Sequence, residues 1–357
     1  MYFKTPPVPS AHSELFHGGI DHPELWLWDS WTLQEISGSW HLYCLALSRR
    51  DSDGAAILPP DRNDFTFHVR HFTSADDGRS WRDNGAIGTP GGVADGADAR
   101  NVWSGSALHL EDGRIAHGFT GVRDRGPDRG YLQTICVAIA PAPDAPWTAP
   151  DAAVSCPERD YDAITAKGFY LGPKDQLGSN SGEDGGPILA WRDPYLFTTP
   201  DGELHAVWSA KIAPAVPAIA HARLAVDGDR IVLADLSAPI ELPDASLMTQ
   251  SEVPKVYRDA ASGDYLLLVS ACDRQYEGQP TRDCSHIHRL YRSPRLTGPW
   301  HTFRPDDSAL PGVDGLFGAS LVHHDAAAGR FTLLGPYTEN AGPDRQLRFA
   351  APVDIRI

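Results

Sequence analysis

Basic residues and long apolar runs are scarce in this chain, and each shortage removes a class of function. Across 357 residues, 31 Lys and Arg stand against 47 Asp and Glu, giving a formal net charge of −16. Nucleic acid and anionic membranes both need a basic footprint, so neither is expected as a partner, and a neutral small molecule fits better. No run of about 18 apolar residues is available to cross a bilayer as a helix. The opening residues Met1-Tyr2-Phe3-Lys4-Thr5-Pro6-Pro7 lack the apolar centre of a secretory signal. The expectation is a soluble, cytoplasmic protein. The five cysteines, Cys44, Cys136, Cys156, Cys272 and Cys284, are odd in number and share no metal-type spacing. Reduced, buried thiols are the favoured reading, with Cys272 and Cys284 the pair that an oxidising compartment would join. A convincing amphipathic helix, a GxGxxG fingerprint, a Walker loop and a GxSxG elbow are all missing, and no cofactor is expected.

What the chain does have is ten tryptophans and a recurring hairpin. Indoles pack sheets together and also stack on sugar rings, so their number alone does not separate core from ligand. The hairpin is clearest from Leu25 to Leu47, where two β-favouring runs flank Ser37-Gly38-Ser39. It recurs from Trp103-Ser104-Gly105-Ser106-Ala107 through Asp112-Gly113, and from Trp191-Arg192-Asp193-Pro194-Tyr195 through Asp201-Gly202. Two further copies run from Ser251-Glu252-Val253-Pro254 through Ser262-Gly263, and from Phe317-Gly318-Ala319-Ser320 through Gly329. Five copies predict an all-β, five-bladed β-propeller, read as one domain over residues 1–357 with an irregular segment at 1–23 that wraps the first blade or closes the ring.

Asp29, Ser104 and Asp193 each precede their turn glycine by nine residues, and Glu252 precedes its own by eleven. That places all four at equivalent points on first strands, which in a propeller lie innermost. Three carboxylates would then face one mouth of the central channel. An ionised carboxylate among tryptophans, as at Asp29, is costly unless paired, so the arrangement suits acid and nucleophile catalysis better than folding.

Between these copies, Ser48 to Asn63 reads as a loop, and Phe65 to Phe72 as a strand running into Ser74-Ala75-Asp76-Asp77-Gly78-Arg79-Ser80-Trp81. That octet matches the aspartic-box turn of propellers and is read as structural. Gly88 to Arg100, Pro141 to Pro157 and Gly178 to Gly186 read as surface loops. The acids of the first lack the spacing of a calcium loop. His286 and His288 share a strand face without a third ligand, and His323-His324 do not share one, so no metal site is expected.

The ordered motifs Trp28-Asp29-Ser30-Trp31 with Leu33-Gln34, Trp103-Ser104-Gly105-Ser106-Ala107, Arg192-Asp193-Pro194, and Glu252 followed at one remove by Pro254 resemble those of the levansucrase and inulosucrase group, glycoside hydrolase family 68, in a clan shared with the invertase-like family 32. The resemblance covers roughly residues 25–275. It implies a five-bladed propeller and a retaining mechanism on a β-fructofuranoside such as sucrose. By resemblance, Asp29 is the nucleophile, Glu252 the acid/base and Asp193 the transition-state stabiliser, with Arg192 orienting the carboxylates. Trp28, Trp103 and Ser104 would line the fructosyl subsite.

The departures fall on the leaving-group side. Val253 stands where the family carries Arg, Gln250 where an acid is usual, and the acid expected on the strand after Arg192-Asp193-Pro194 is replaced near Ser209. Gln250 and Arg274 remain as candidate contacts there, and the partner sugar need not be glucose. Two other readings stay open: an inverting furanosidase acting on arabinan-type substrates, and a non-catalytic sugar-binding propeller.

Overall fold

The computed structural model describes residues 4–91, 95–124, 130–147, 150, 153–177, 188–276, 279–305 and 307–357. The strands form five antiparallel sheets around a common axis, a five-bladed β-propeller. Blade I contains Leu25–Gln34, Trp40–Ser48, His68–Ser74 and Ser80–Gly88, and blade II Asn101–His109, Ile115–Asp124 and Tyr131–Ala140. Blade III contains Arg192–Thr198, Leu204–Ala213, Val216–Asp227 and Arg230–Leu236. Blade IV contains Gln250–Arg258, Tyr265–Cys272, His286–Ser293 and His301–Thr302, and blade V Ser320–Asp325, Arg330–Leu334 and Val353–Arg356.

Each blade opens with one of the five hairpins expected from the sequence. Their turn glycines, Gly38, Gly113, Gly202, Gly263 and Gly329, all have positive φ. The first strands of blades I and II, II and III, III and IV, and V and I pack against each other, which places them innermost. Apolar side chains fill the spaces between blades, as in the Trp191–Trp208 edge-to-face pair at 5.2 Å and the Phe119–Trp147 stack at 4.7 Å. Eight of the ten tryptophans are buried, so indole serves chiefly as packing between sheets. The aspartic-box turn also has the expected form: the Asp76 carboxylate accepts the Ser80 N–H at 2.8 Å and the Ser80 hydroxyl at 2.6 Å, above a buried Trp81.

Three readings need correction. The segment at 1–23 is not wholly irregular, because Phe16–His17 extends the outer edge of blade I and Gly19–Ile20 pairs with Phe349–Ala350. It therefore both wraps blade I and joins the two ends of the chain. The strand expected over Phe65 to Phe72 begins at His68, since the Phe67 N–H is taken by Asn101 Oδ1 at 2.8 Å. An α-helix spans Pro157–Ala166. It buries only Pro157 and Ile164, too narrow a stripe to register as periodicity, and it is started by Pro157 in the first turn with the Asp160 carboxylate accepting the Cys156 N–H at 2.9 Å. The loop read over Gly178 to Gly186 lies outside the described residues.

Candidate active site

The five inner strands share a defect. In every blade the pairing between first and second strands slips by one residue, at Trp28/Ser30, Trp103/Gly105, Arg192/Tyr195, Glu252/Lys255 and Leu321/His323. In blades I to IV the slip falls on the residues singled out from the sequence. A bulge bends its strand and re-aims a side chain, here Asp29 and Ser104 directly. In blade II, Gly105 is required beside the bulge because a Cβ there would stand 1.9 Å from the Gly118 carbonyl oxygen. In blades III and IV the bulge is more strained, with Asp193 at φ +62° and the β-branched Val253 at φ +47°. Such conformations typically cost about 1–3 kcal/mol each and persist where the surroundings impose them.

The match also refines the register. Arg192 pairs with Ser209 and Glu252 with Ser270, and Asp193 and Val253 are the two strained residues that follow. Glu252 therefore occupies the position of Arg192, one step from that of Asp193. Glu252 is thus not equivalent to Asp193, contrary to the expectation from spacing, and this step accounts for one of the two extra residues before its turn glycine. The turn from Arg258 to Tyr265, one residue longer than that from Thr198 to Leu204, accounts for the other.

Asp29, Asp193 and Glu252 line one cavity of about 150 Å³ on the propeller axis. Ser104 Oγ donates to Asp29 Oδ2 at 2.5 Å. Asp193 Oδ2 accepts the strained Val253 N–H at 3.1 Å, while the Asp193 N–H donates to Thr120 Oγ1 at 2.7 Å. Arg192 ties the acids together, with Nε 3.6 Å from Asp193 Oδ2 and Nη2 3.3 Å from Glu252 Oε1. Its other nitrogen is fixed by the Leu189 carbonyl at 2.9 Å. Asp193 is buried and the Glu252 side chain is 21% exposed, so the two acids on Arg192 sit in different surroundings.

Burial raises the Asp29 pKa, as does the nearby Glu252, against lowering by the Ser104 hydrogen bond and by the charges of Lys255 and Arg62. Asp193 is pushed up to about 7, first by burial, with Arg192 opposing and Glu252 and Asp29 adding to the rise. The Ser209 hydroxyl lies 2.7 Å from the Ser251 carbonyl and 3.2 Å from Asp193 Oδ2. Its single proton serves the nearer carbonyl, and a proton on Asp193 would complete the second contact.

Of the other expected contacts, Trp28, Trp103, Ser104, Arg192 and Arg274 line the cavity. Gln250 does not. It is buried behind Arg192, whose Nη2 donates to its Oε1 at 3.2 Å, so it braces the guanidinium. Val253 is buried and likewise absent from the lining.

The sequence reading missed Arg62 and Glu339, which pair at 3.2 Å on the cavity wall, and His286 and Phe317, whose rings meet edge to face at 5.2 Å. It also missed Lys255. Arg62 lies in a 3-10 turn at Pro59–Asp64, inside what the sequence presents as a charged loop. His288 is engaged elsewhere, and among the described residues no group of three or more His, Cys, Asp or Glu is placed to hold a metal ion. All five cysteines are free, and Cys272 Sγ sits 3.7 Å from Glu252 Oε1 on the cavity wall.

Fold and pocket together define a five-bladed propeller with an acidic cavity on its axis. The same architecture is found in the inulosucrase of Halalkalicoccus jeotgali bound to kestose, at a TM-score of 0.66 and 19% identity over 100% of this chain and 90% of that one. Bacillus subtilis levansucrase in complex with oligosaccharides gives a TM-score of 0.62 and 16% identity over 93% of this chain and 84% of that one. A B. megaterium levansucrase variant gives 0.60 and 16% over 93% and 83%. No family model and no curated protein matches the chain. At these identities the likeness establishes a common fold.

Proposed function

We propose that the chain is a single-domain member of glycoside hydrolase family 68 that cleaves a β-fructofuranoside, sucrose or a relative of it, with retention at the anomeric carbon. The carrying observation is that three acids from blades I, III and IV line one small cavity with Ser104 and Arg192 between them. Asp29, held by Ser104, attacks the anomeric carbon of the fructosyl unit and forms a covalent ester. Glu252 protonates the departing glycosidic oxygen and then takes a proton from water or a sugar hydroxyl that resolves the ester. Asp193 binds fructosyl hydroxyls and steadies the oxocarbenium-like transition state. Arg192 keeps Asp193 and Glu252 in fixed relation. No step calls for a cofactor or metal, and the only partner in the scheme is a small sugar.

The similar solved structures include proteins bound to kestose and to sucrose, which favours a fructoside as ligand here. The leaving-group wall differs from the family pattern, because neither Val253 nor Gln250 reaches the cavity and Arg274, Arg62 and Glu339 do. The unit displaced from fructose therefore need not be glucose. Incubation with sucrose, kestose and a panel of other fructosides, assaying the released sugar with Asp29→Asn as control, tests the proposal. Release from none of them would remove it, and product with inverted anomeric configuration would replace retention by inversion.

A further inference from the structure

Phe317–Ala319, the segment that leads into the inner strand of blade V, is held by side chains from three strands of blade IV. Lys255, fully buried on the inner strand, donates from Nζ to the Gly318 carbonyl at 2.7 Å and the Ala319 carbonyl at 2.8 Å. Ser270 Oγ on the second strand accepts the Gly318 N–H at 2.9 Å, and His288 Nε2 on the third accepts the Ala319 N–H at 3.2 Å. Accepting there requires a neutral imidazole, and burial lowers the His288 pKa to about 3. Gly318, at φ +65°, lies flat against Asp29: a Cβ at this position would stand 3.1 Å from Asp29 Oδ1 and 3.3 Å from Asp29 Cα. Two neutral carbonyls satisfy hydrogen-bonding protons but do not balance a buried ammonium, which needs opposite charge nearby. Burial lowers the Lys255 pKa to about 7, and Asp29 and Asp193 oppose that shift by favouring its charged form.

We propose that Lys255 is a positioning residue for Asp29, clamping Gly318 against it and placing a positive charge beside Asp29 and Asp193, so that Asp29 stays ionised and fixed in the cavity wall. This rests on the reading of Asp29 as nucleophile. The charged and polar groups around Asp29 are Ser104 from blade II, Arg192 and Asp193 from blade III, Glu252, Lys255, His286 and His288 from blade IV, Arg62 from blade I, and Tyr337 and Glu339 after the second strand of blade V. Ser30 of blade I also donates to the Gly318 carbonyl at 3.4 Å. Of the cations, Lys255 and Arg62 act on Asp29 itself, and Lys255 alone of these two is fully buried.

The test compares Lys255→Met, Lys255→Arg and Gly318→Ala with the wild type. Folded Lys255→Met is expected to lose at least about tenfold in kcat while KM stays within about threefold, with the acidic limb of the rate profile moved to higher pH. Lys255→Arg, which keeps the charge, is expected to restore the limb. Gly318→Ala, which forces a Cβ at positive φ against Asp29, is expected to lower kcat together with the melting temperature, and the Asp29 titration in Lys255→Gln decides the matter if Lys255→Met does not fold. Titration of Asp29 by 13C NMR on aspartate-labelled protein, assigned through Asp29→Asn, is expected to move upward in Lys255→Met, and this readout needs no substrate. Unchanged kcat and limb in an active enzyme, or an unmoved Asp29 titration, would overturn the role of Lys255. A wild type that releases nothing from any fructoside would instead remove the reading of the site.

Discussion

The two walls of the cavity are built differently. On the wall formed by the inner strands of blades I to III, Asp29, Asp193 and Arg192 are each fixed more than once: Asp29 by Ser104 and the packing of Gly318, Asp193 by Val253 and Ser209, Arg192 by Leu189, Gln250 and two carboxylates. The opposite wall, with Arg62, Arg274, Tyr337 and Glu339, comes from loops and strand ends, where Arg62 pairs with Glu339 and donates to the Pro59 carbonyl, and Arg274 donates to the Gln279 carbonyl. Interactions that act only in a transition state need fixed geometry, whereas recognition of a departing group tolerates adjustment. The contrast teaches that bond type and partner identity are separately encoded here, one in strand bulges and the other in loops.

The sharpest way to break that contrast is at Asp29. Asp29→Asn preserves shape and should abolish turnover, by at least about 10⁴-fold in kcat, while calorimetric binding of a fructoside persists. Equal loss of binding and turnover would mean that the fixed wall recognises rather than reacts. A smaller change is expected across the cavity. Arg274→Ala should raise KM by about tenfold for substrates with a large leaving sugar, and leave kcat for small activated fructosides nearly unchanged, as measured by steady-state kinetics.

The smallest effect lies in stability. Asp193 has its folded pKa raised to about 7 from an ordinary value near 3.8, so the folded protein binds the extra proton between those limits. Its contribution to stability is full below the lower value and fades as pH rises toward the upper one. Thermal unfolding from about pH 4 to about pH 7 should therefore decline less steeply in Asp193→Asn than in the wild type. An identical slope would argue against a proton held on the fixed wall.

Much of this was legible in the sequence because propeller hairpins repeat turn glycines, and because acids among tryptophans are conspicuous. The ring, the blades and the meeting of Asp29, Asp193 and Glu252 followed from those signals. What escaped depended on phase or direction. Glu252 stands at the position of Arg192 rather than of Asp193, and a longer turn adds to its distance from Gly263, so spacing from the turn glycine could not place it. Gln250 alternates with Glu252 along the strand, yet its amide is taken up by the Arg192 guanidinium and it does not reach the cavity, which depends on a partner 58 residues away. Lys255 reads as an ordinary strand lysine, and only the approach of residues 63 and 64 positions away makes it a core group. The short strands Phe16–His17 and Gly19–Ile20 have partners so distant in sequence that no local pattern marks them.

Gly19–Ile20 pairs with Phe349–Ala350, and Gly318 supplies one side of the housing around Asp29. Asp29 therefore leaves the ribosome long before Gly318, and the housing around it can close only after the segment leading into blade V has been made. A chain cut short before blade V would hold the acid without that side of its chamber.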